Sequence, residues 1–328
     1  MGCSQLNRQI PLKFNIHIFT LSLVAALATL IFERAIGIEW DFHPDAITYA
    51  MTSHEISQNI MGGGLSSAIN NSYYFICSLL GQSILAIIAM NMIFFALANL
   101  VILKLHIKFT GDVDLHKYSL LLLLILNPYR LHLATTMLKD TLIIFLALIS
   151  LMGFRNWILS FMAMPFLRVI GVFYYGVLLP RAIFAFGVFC AICIFFIFNE
   201  RVVGLMLEFN ANQMQFREFD SVPSFQDSGL IGIAIRYVVW PILALTASFS
   251  LFGLSVPFLA VAMGVVMFNI YTFSLVGRSI FTWKIFLLMG VFAILVTGYG
   301  SYIRYVYPFL VMAPLIVISQ SKSRLREF

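Results

Sequence analysis

The chain has 328 residues, 61% hydrophobic and only 10% charged, with a mean hydropathy of +0.97. A water-soluble core cannot use that much apolar surface but a bilayer can, so the composition excludes a soluble globular domain and points to an all-α, polytopic transmembrane helical bundle. The net charge of +6 is not a nucleic-acid signal, because the basic residues gather at the ends of apolar runs, where they set orientation.

No alternating ten-residue segments of the barrel type occur. The polar stretches are too short to bury a core of their own, so residues 1–328 read as one integral membrane domain. Arg8 and Lys13 precede the first apolar run, 14–32, and place the N-terminus in the cytoplasm by the positive-inside rule. The loop over 33–72 is then external.

That loop opens with Glu39-Trp40-Asp41-Phe42-His43-Pro44-Asp45, three carboxylates and a histidine in a chain with only 14 acidic residues. Pro44 suits the first position of a helix and Asp45 its first turn, where an anion meets the positive end of the dipole. A helix start explains Asp45 but leaves Asp41 and His43 beside it unexplained. Carboxylates partly desolvated at a membrane surface gain proton affinity and can serve as bases. His43 reads as an auxiliary hydrogen-bond partner. One histidine and two aspartates could hold a divalent cation, but the spacing is not that of a specific ligand set, and no metal or other cofactor is expected.

The second apolar run, 73–105, is longer than a bilayer needs and implies a tilt. Lys104, Lys108 and Lys117 mark a cytoplasmic loop after it. Two short runs follow, 118–126 and 141–154, around the polar elbow Asn127-Pro128-Tyr129-Arg130-Leu131-His132. Neither spans a hydrocarbon layer of ~30 Å, so a pair of short helices is expected, with the elbow facing protein or water. Arg130, His132, Lys139 and Asp140 fall on the same side as the first loop. Arg130 and Lys139 are candidates to hold a phosphate or pyrophosphate; the plainer readings are snorkelling anchors and a Lys139–Asp140 pair.

Residues 157–180, with Pro165, Arg168, Gly171 and Gly176, make one kinked span or two short ones. The next span, 181–198, carries Cys190 and Cys193, which read as small helix residues rather than metal ligands. The polar segment 199–228 has an expected interfacial amphipathic helix over 204–219. Further spans are expected over 229–249, 256–276, 285–297 and 306–319, the last two joined by a turn over 298–305 that carries Tyr302, Arg304 and Tyr305. Lys322, Arg324 and Arg326 put the C-terminus inside, so the number of spans is even, about ten. The tyrosines fit an interfacial belt, whereas Arg304 is a candidate for an anionic headgroup. No nucleotide loop, zincin helix or Gly-x-Ser-x-Gly elbow is present, which argues against ATP-driven chemistry.

Four of these features together resemble the C-type fold of integral membrane glycosyltransferases and the O-antigen-like polysaccharide polymerases grouped near it. They are the acids at 41–45 followed by Tyr49-Ala50; the Asn127-Pro128 elbow before Leu138-Lys139-Asp140; Arg168 in a short-helix region; and Arg304-Tyr305-x-Tyr307-Pro308. The resemblance implies a bacterial inner-membrane enzyme whose donor is a lipid-linked saccharide held by its diphosphate at the outer leaflet. Asp41 or Asp45 would be the base, and Arg130, Lys139 and Arg304 the diphosphate clamp, with His132, Asp140, Arg168 and Tyr305 lining the site. Membrane lipid and other polysaccharide-assembly membrane proteins are the implied partners. The chain lacks the large external domain of the bigger members, and its acids are spaced Asp-x-x-x-Asp, which leaves the identity of the base and any metal requirement open. A lipid-linked-saccharide flippase and a membrane acyltransferase with His43 or His132 as base are the alternatives.

Overall fold

Every described element is helical, as a chain that must satisfy its backbone groups without water requires. The computed structural model describes residues 12–111, 115–198, 200–201, 203–204, 208, 229–246, 256–280, 282–296 and 298–324. The helices are α1 (Leu12–Ala35), α2 (Pro44–Ala68), α3 (Ser72–Leu79), α4 (Ile84–Thr110), α5 (Leu115–Ile125), α6 (Pro128–Ala134), α7 (Asp140–Ile149), α8 (Phe154–Leu167), α9 (Arg181–Ile197), α10 (Gly229–Thr246), α11 (Val256–Val276), α12 (Trp283–Leu295) and α13 (Tyr299–Arg324). Two 3-10 segments, Ser150–Met152 and Val169–Leu178, extend α7 and follow α8. Among the described residues 4 helices, α1, α4, α11 and α13, are long and apolar enough to cross a membrane; the other apolar elements are shorter.

Helix breaks follow local chemistry. The loop expected over 33–72 is largely the helix α2, which starts at Pro44 as expected and bends at Gly64, whose φ of 71° suits glycine. The apolar run 73–105 is two helices rather than one tilted span. Gly81 and Gln82 both adopt positive φ between α3 and α4, and Ser83 restarts the helix by accepting a hydrogen bond from the Ala86 N–H. The elbow joins three short helices, α5, α6 and α7, rather than two. The region after Trp157 is two elements broken at Arg168, whose extended backbone ends α8. The turn before the last span is shorter than expected, so Arg304 sits inside α13 and not in a loop. The helix expected over 204–219 falls almost wholly outside the described residues.

α13 is the central post: from Val306 to Ile318 its apolar side chains are buried. α1 lies at the edge, with Val24, Ile31 and Phe32 exposed. Buried polar pairs fix the register between apolar helices, as packing alone does weakly in lipid: Asn99 on α4 donates to Ser22 on α1 (2.9 Å), and His106 on α4 meets Tyr271 on α11 (2.5 Å). One rim of the bundle gathers the end of α1, the start of α2, the 135–139 link, the α8 break and the first turns of α13. The opposite rim is tied by Lys108 to the Met152 carbonyl (3.2 Å) and by Lys284 to the Leu179 carbonyl (2.6 Å).

Asn127 holds the elbow. Its Oδ1 accepts from the N–H groups of Tyr129 (3.1 Å) and Arg130 (3.2 Å) and from the Tyr307 hydroxyl. Gly264 of α11 makes room for it: a Cβ there would stand 2.5 Å from Asn127 Nδ2. Asn127→Ala is expected to lower stability by about 1–2 kcal/mol, the usual cost of a lost N-cap, and Gly264→Leu to lower it further; thermal unfolding in detergent measures both.

Candidate functional site

The rim at the start of α13 carries a cluster of alternating charge drawn from five separate parts of the sequence. Asp140 is the first residue of α7, where the helix dipole favours a carboxylate. Its Oδ1 accepts from Arg168 Nη2 at 2.7 Å, and its Oδ2 lies 3.4 Å from Arg304 Nε. Arg304 Nη2 also donates to Asp45 Oδ2. The Arg168 guanidinium lies 3.9 Å above the Tyr305 ring, and the Tyr174 hydroxyl donates to the Tyr305 carbonyl at 2.6 Å. Lys139, just before α7, donates to the Asn70 carbonyl at 3.4 Å.

Burial divides this cluster. The Asp140 and Arg168 side chains are 1% and 2% exposed, whereas Asp45 is 49% exposed. Arg168 Nε and Nη1 have no hydrogen-bond partner, and neither has Arg304 Nε. Three cations, Lys139, Arg168 and Arg304, thus face two carboxylates. Unsatisfied buried donors are costly, and a surplus of aimed N–H groups beside an open carboxylate is suited to a multiply charged anion. The Arg304 guanidinium holds the Asp45 carboxyl below the usual carboxylate range.

Beside this cluster stands a chain of three side chains. Glu33, buried at the end of α1, accepts from His132 Nδ1 at 2.7 Å and from the Thr135 hydroxyl. His132 Nε2 is 3.0 Å from His43 Nε2. The carboxylate fixes the tautomers: with the His132 proton on Nδ1, Nε2 accepts from His43 Nε2–H, and His43 Nδ1 keeps its lone pair. His43 is in extended conformation just before α2, and its side chain caps nothing, so the ring is available for this contact. Phe42 packs edge-on against both rings. Burial, with His132 and Arg304 nearby, pushes His43 well below the usual imidazole value, so it is neutral at neutral pH.

The expected residues are thus partly gathered. Asp45, Lys139, Asp140, Arg168, Arg304 and Tyr305 meet, and His43 meets His132. Asp41 is exposed on the turn before α2, and no ion pair or hydrogen bond ties its side chain to the cluster among the described residues. Arg130 is buried elsewhere, donating to the Leu124 carbonyl at 3.3 Å and lying 5.0 Å over the Phe95 ring. Pro128 cannot supply the N–H that would normally reach Leu124, and the guanidinium takes its place. Glu33 falls at the first position of the loop expected over 33–72, with no role of its own in that reading; its one signal is an acid directly abutting an apolar run. Among the described residues no group of three His, Cys, Asp or Glu side chains could hold a metal ion.

Two outcomes test this electrostatic account. Arg168→Leu is expected to destabilise by about 3–5 kcal/mol by taking from the buried Asp140 its hydrogen-bonded partner and leaving only the longer Arg304 contact, and adding Asp140→Leu is expected to restore most of the loss in detergent unfolding. His43 has a folded-state pKa below its unfolded value, so its contribution is present above about 6.5 and lost as pH falls below that. The apparent unfolding temperature should therefore drop below that pH, and His43→Gln should flatten the drop.

Comparison of the chain with protein-family models, curated proteins and solved structures finds no match.

Proposed function

We propose that the chain is an integral membrane glycosyltransferase that takes a saccharide from a polyprenyl-diphosphate donor at the outer face of the bacterial cytoplasmic membrane. Its product would be polymerised surface-polysaccharide repeat units. The observation that carries this reading is the meeting, on one rim, of a cation surplus with the Glu33–His132–His43 chain. The four long helices and the shorter apolar ones make about ten crossings on this reading, with both termini cytoplasmic and the cluster outside.

The chemistry needs two things. An acceptor hydroxyl is a poor nucleophile until a base engages its proton. The bond from the anomeric carbon to the diphosphate breaks with its electron pair on the leaving oxygen, which needs positive charge there. His43 Nδ1 is the base on this reading: it accepts the hydroxyl proton, and the positive charge is shared through His132 with Glu33. The new bond joins the acceptor oxygen to the anomeric carbon. Asp45 is a weaker base, because Arg304 keeps it ionised. Half exposed, it can yield Arg304 to the diphosphate, which Arg168 and Lys139 hold with it.

A membrane acyltransferase is the second reading, favoured by the same His43–His132 pair, since base-activated hydroxyls also attack acyl groups. A flippase would want its charges near mid-membrane and in matched halves; here they lie at a rim.

Purified protein in proteoliposomes is expected to lengthen a polyprenyl-diphosphate-linked oligosaccharide. His43→Gln should slow this by about 10²–10⁴-fold, and Asp41→Asn should leave it near wild type. Glu33→Gln should shift the acid limb of the pH–rate profile, which a purely structural role would not do. Unchanged chain formation by His43→Gln and by Arg304→Gln would sink the reading; O-acylation of the saccharide with no lengthening would favour the second.

A further inference from the structure

The rim opposite the ion cluster holds two adjoining cavities. Arg304 and Gln320 lie on the same helix, and their spacing puts the two rims roughly 24 Å apart at 1.5 Å per residue. The first cavity, about 630 Å³, is bordered by Arg181, Arg278, Ser279, Thr282 and Lys284. The second, about 620 Å³, shares Lys284 and Gln320 with it and continues between Phe109, Phe154 and Trp157.

The charge here is one-sided. No carboxylate borders either cavity among the described residues. Arg181 and Arg278 are exposed. Lys284 commits one ammonium proton to the Leu179 carbonyl at 2.6 Å, which leaves two more for a ligand. Thr282 caps α12, so the positive end of that helix borders the same space. Like charges this close are stabilised by a counter-anion more than by one another.

The second cavity has the opposite character. Phe154 is 77% exposed and stacks on Trp157, with ring centroids 6.2 Å apart. Leu151, Leu178 and Val177 complete an apolar wall. A cationic head continuous with an aromatic, apolar channel fits an amphiphile that carries phosphate at one end and hydrocarbon at the other.

We propose that these joined cavities bind an anionic phospholipid, with its phosphate among Arg181, Arg278 and Lys284 and an acyl chain along Phe154 and Trp157. Basic pockets between helices at a membrane surface accommodate such headgroups. The site is separate from the Asp140 cluster, and its occupancy does not depend on the glycosyltransferase reading.

The test compares the intact protein in nanodiscs of phosphatidylglycerol with the same protein in phosphatidylcholine, by thermal unfolding and by native mass spectrometry. Phosphatidylglycerol is expected to raise the unfolding temperature and to remain bound. The combined variant Arg181→Gln, Arg278→Gln, Lys284→Gln should lose that shift and weaken lipid retention by about tenfold or more. Arg278→Gln alone, at an exposed loop position, guards against misfolding and should give a smaller loss in the same direction. Equal stabilisation by both lipids would overturn the proposal, as would full retention by the combined variant. A third arm adds glycerol phosphate to phosphatidylcholine nanodiscs; protection by it, with no further gain from phosphatidylglycerol, would assign the site to a soluble anion and overturn the lipid assignment.

Discussion

The bundle turns on one buried carboxylate. Asp140, at the start of α7, is shared by Arg168 from the α8 break and Arg304 from α13. Burying any one of these three alone would be prohibitive, because desolvating a charge outweighs what packing returns. Together they become tolerable, and they bring three regions of the chain to one place. The second link, from Arg304 to Asp45, extends this to α2. The rim is therefore held by ion pairs, whereas the remainder of the bundle combines apolar packing around α13 with a few buried polar pairs.

A bundle built this way separates two physical environments. Along α13, from Val306 to Ile318, the side chains are buried and mostly apolar, with the Tyr307 hydroxyl held by Asn127. At its first turns, guanidinium groups are buried with hydrogen-bonding capacity left over. Such capacity is a poor choice for stability and a good one for receiving charge. The Glu33–His132–His43 chain adds a hydrogen-bonded route for a proton to the same place, with the carboxylate setting the tautomer of the ring it touches. Neither feature alone makes an active site; side by side they suit acid–base work on a substrate bearing an anion.

Much of this was legible in the sequence, for identifiable reasons. Long apolar runs such as 256–276 and 181–198 gave helices close to their expected bounds, because hydrocarbon composition and helix length are tightly linked in a bilayer. The elbow at Asn127-Pro128 was readable because proline and a capping side chain are local signals. Scarcity made Asp45, Asp140, Arg168 and Arg304 stand out: charge is rare in this chain, so each instance needed a reason. What stayed hidden depended on contacts across the fold. Glu33 lies 99 residues from His132 in sequence, and no periodicity reports such a pair. Gly81 and Gln82 break the run 73–105 through their positive φ, and a Gly-Gln-Ser triplet is too short a polar signal against the apolar residues on either side. Arg130 looked like a ligand group because a cation beside a proline has two uses, and only the position of the Leu124 carbonyl separates them.

That last contact has a consequence for how position 128 can vary. Proline there removes an amide proton, and the guanidinium two residues later supplies one in its stead. The two residues make a single repair: the kink is permitted because the arginine closes the gap it opens, and the arginine is tolerated in oil because the kink leaves it an acceptor. Relatives of this chain that straighten the elbow should have no use for a cation at 130. Those that keep the bend should keep a long donor side chain there, independently of what the rim binds.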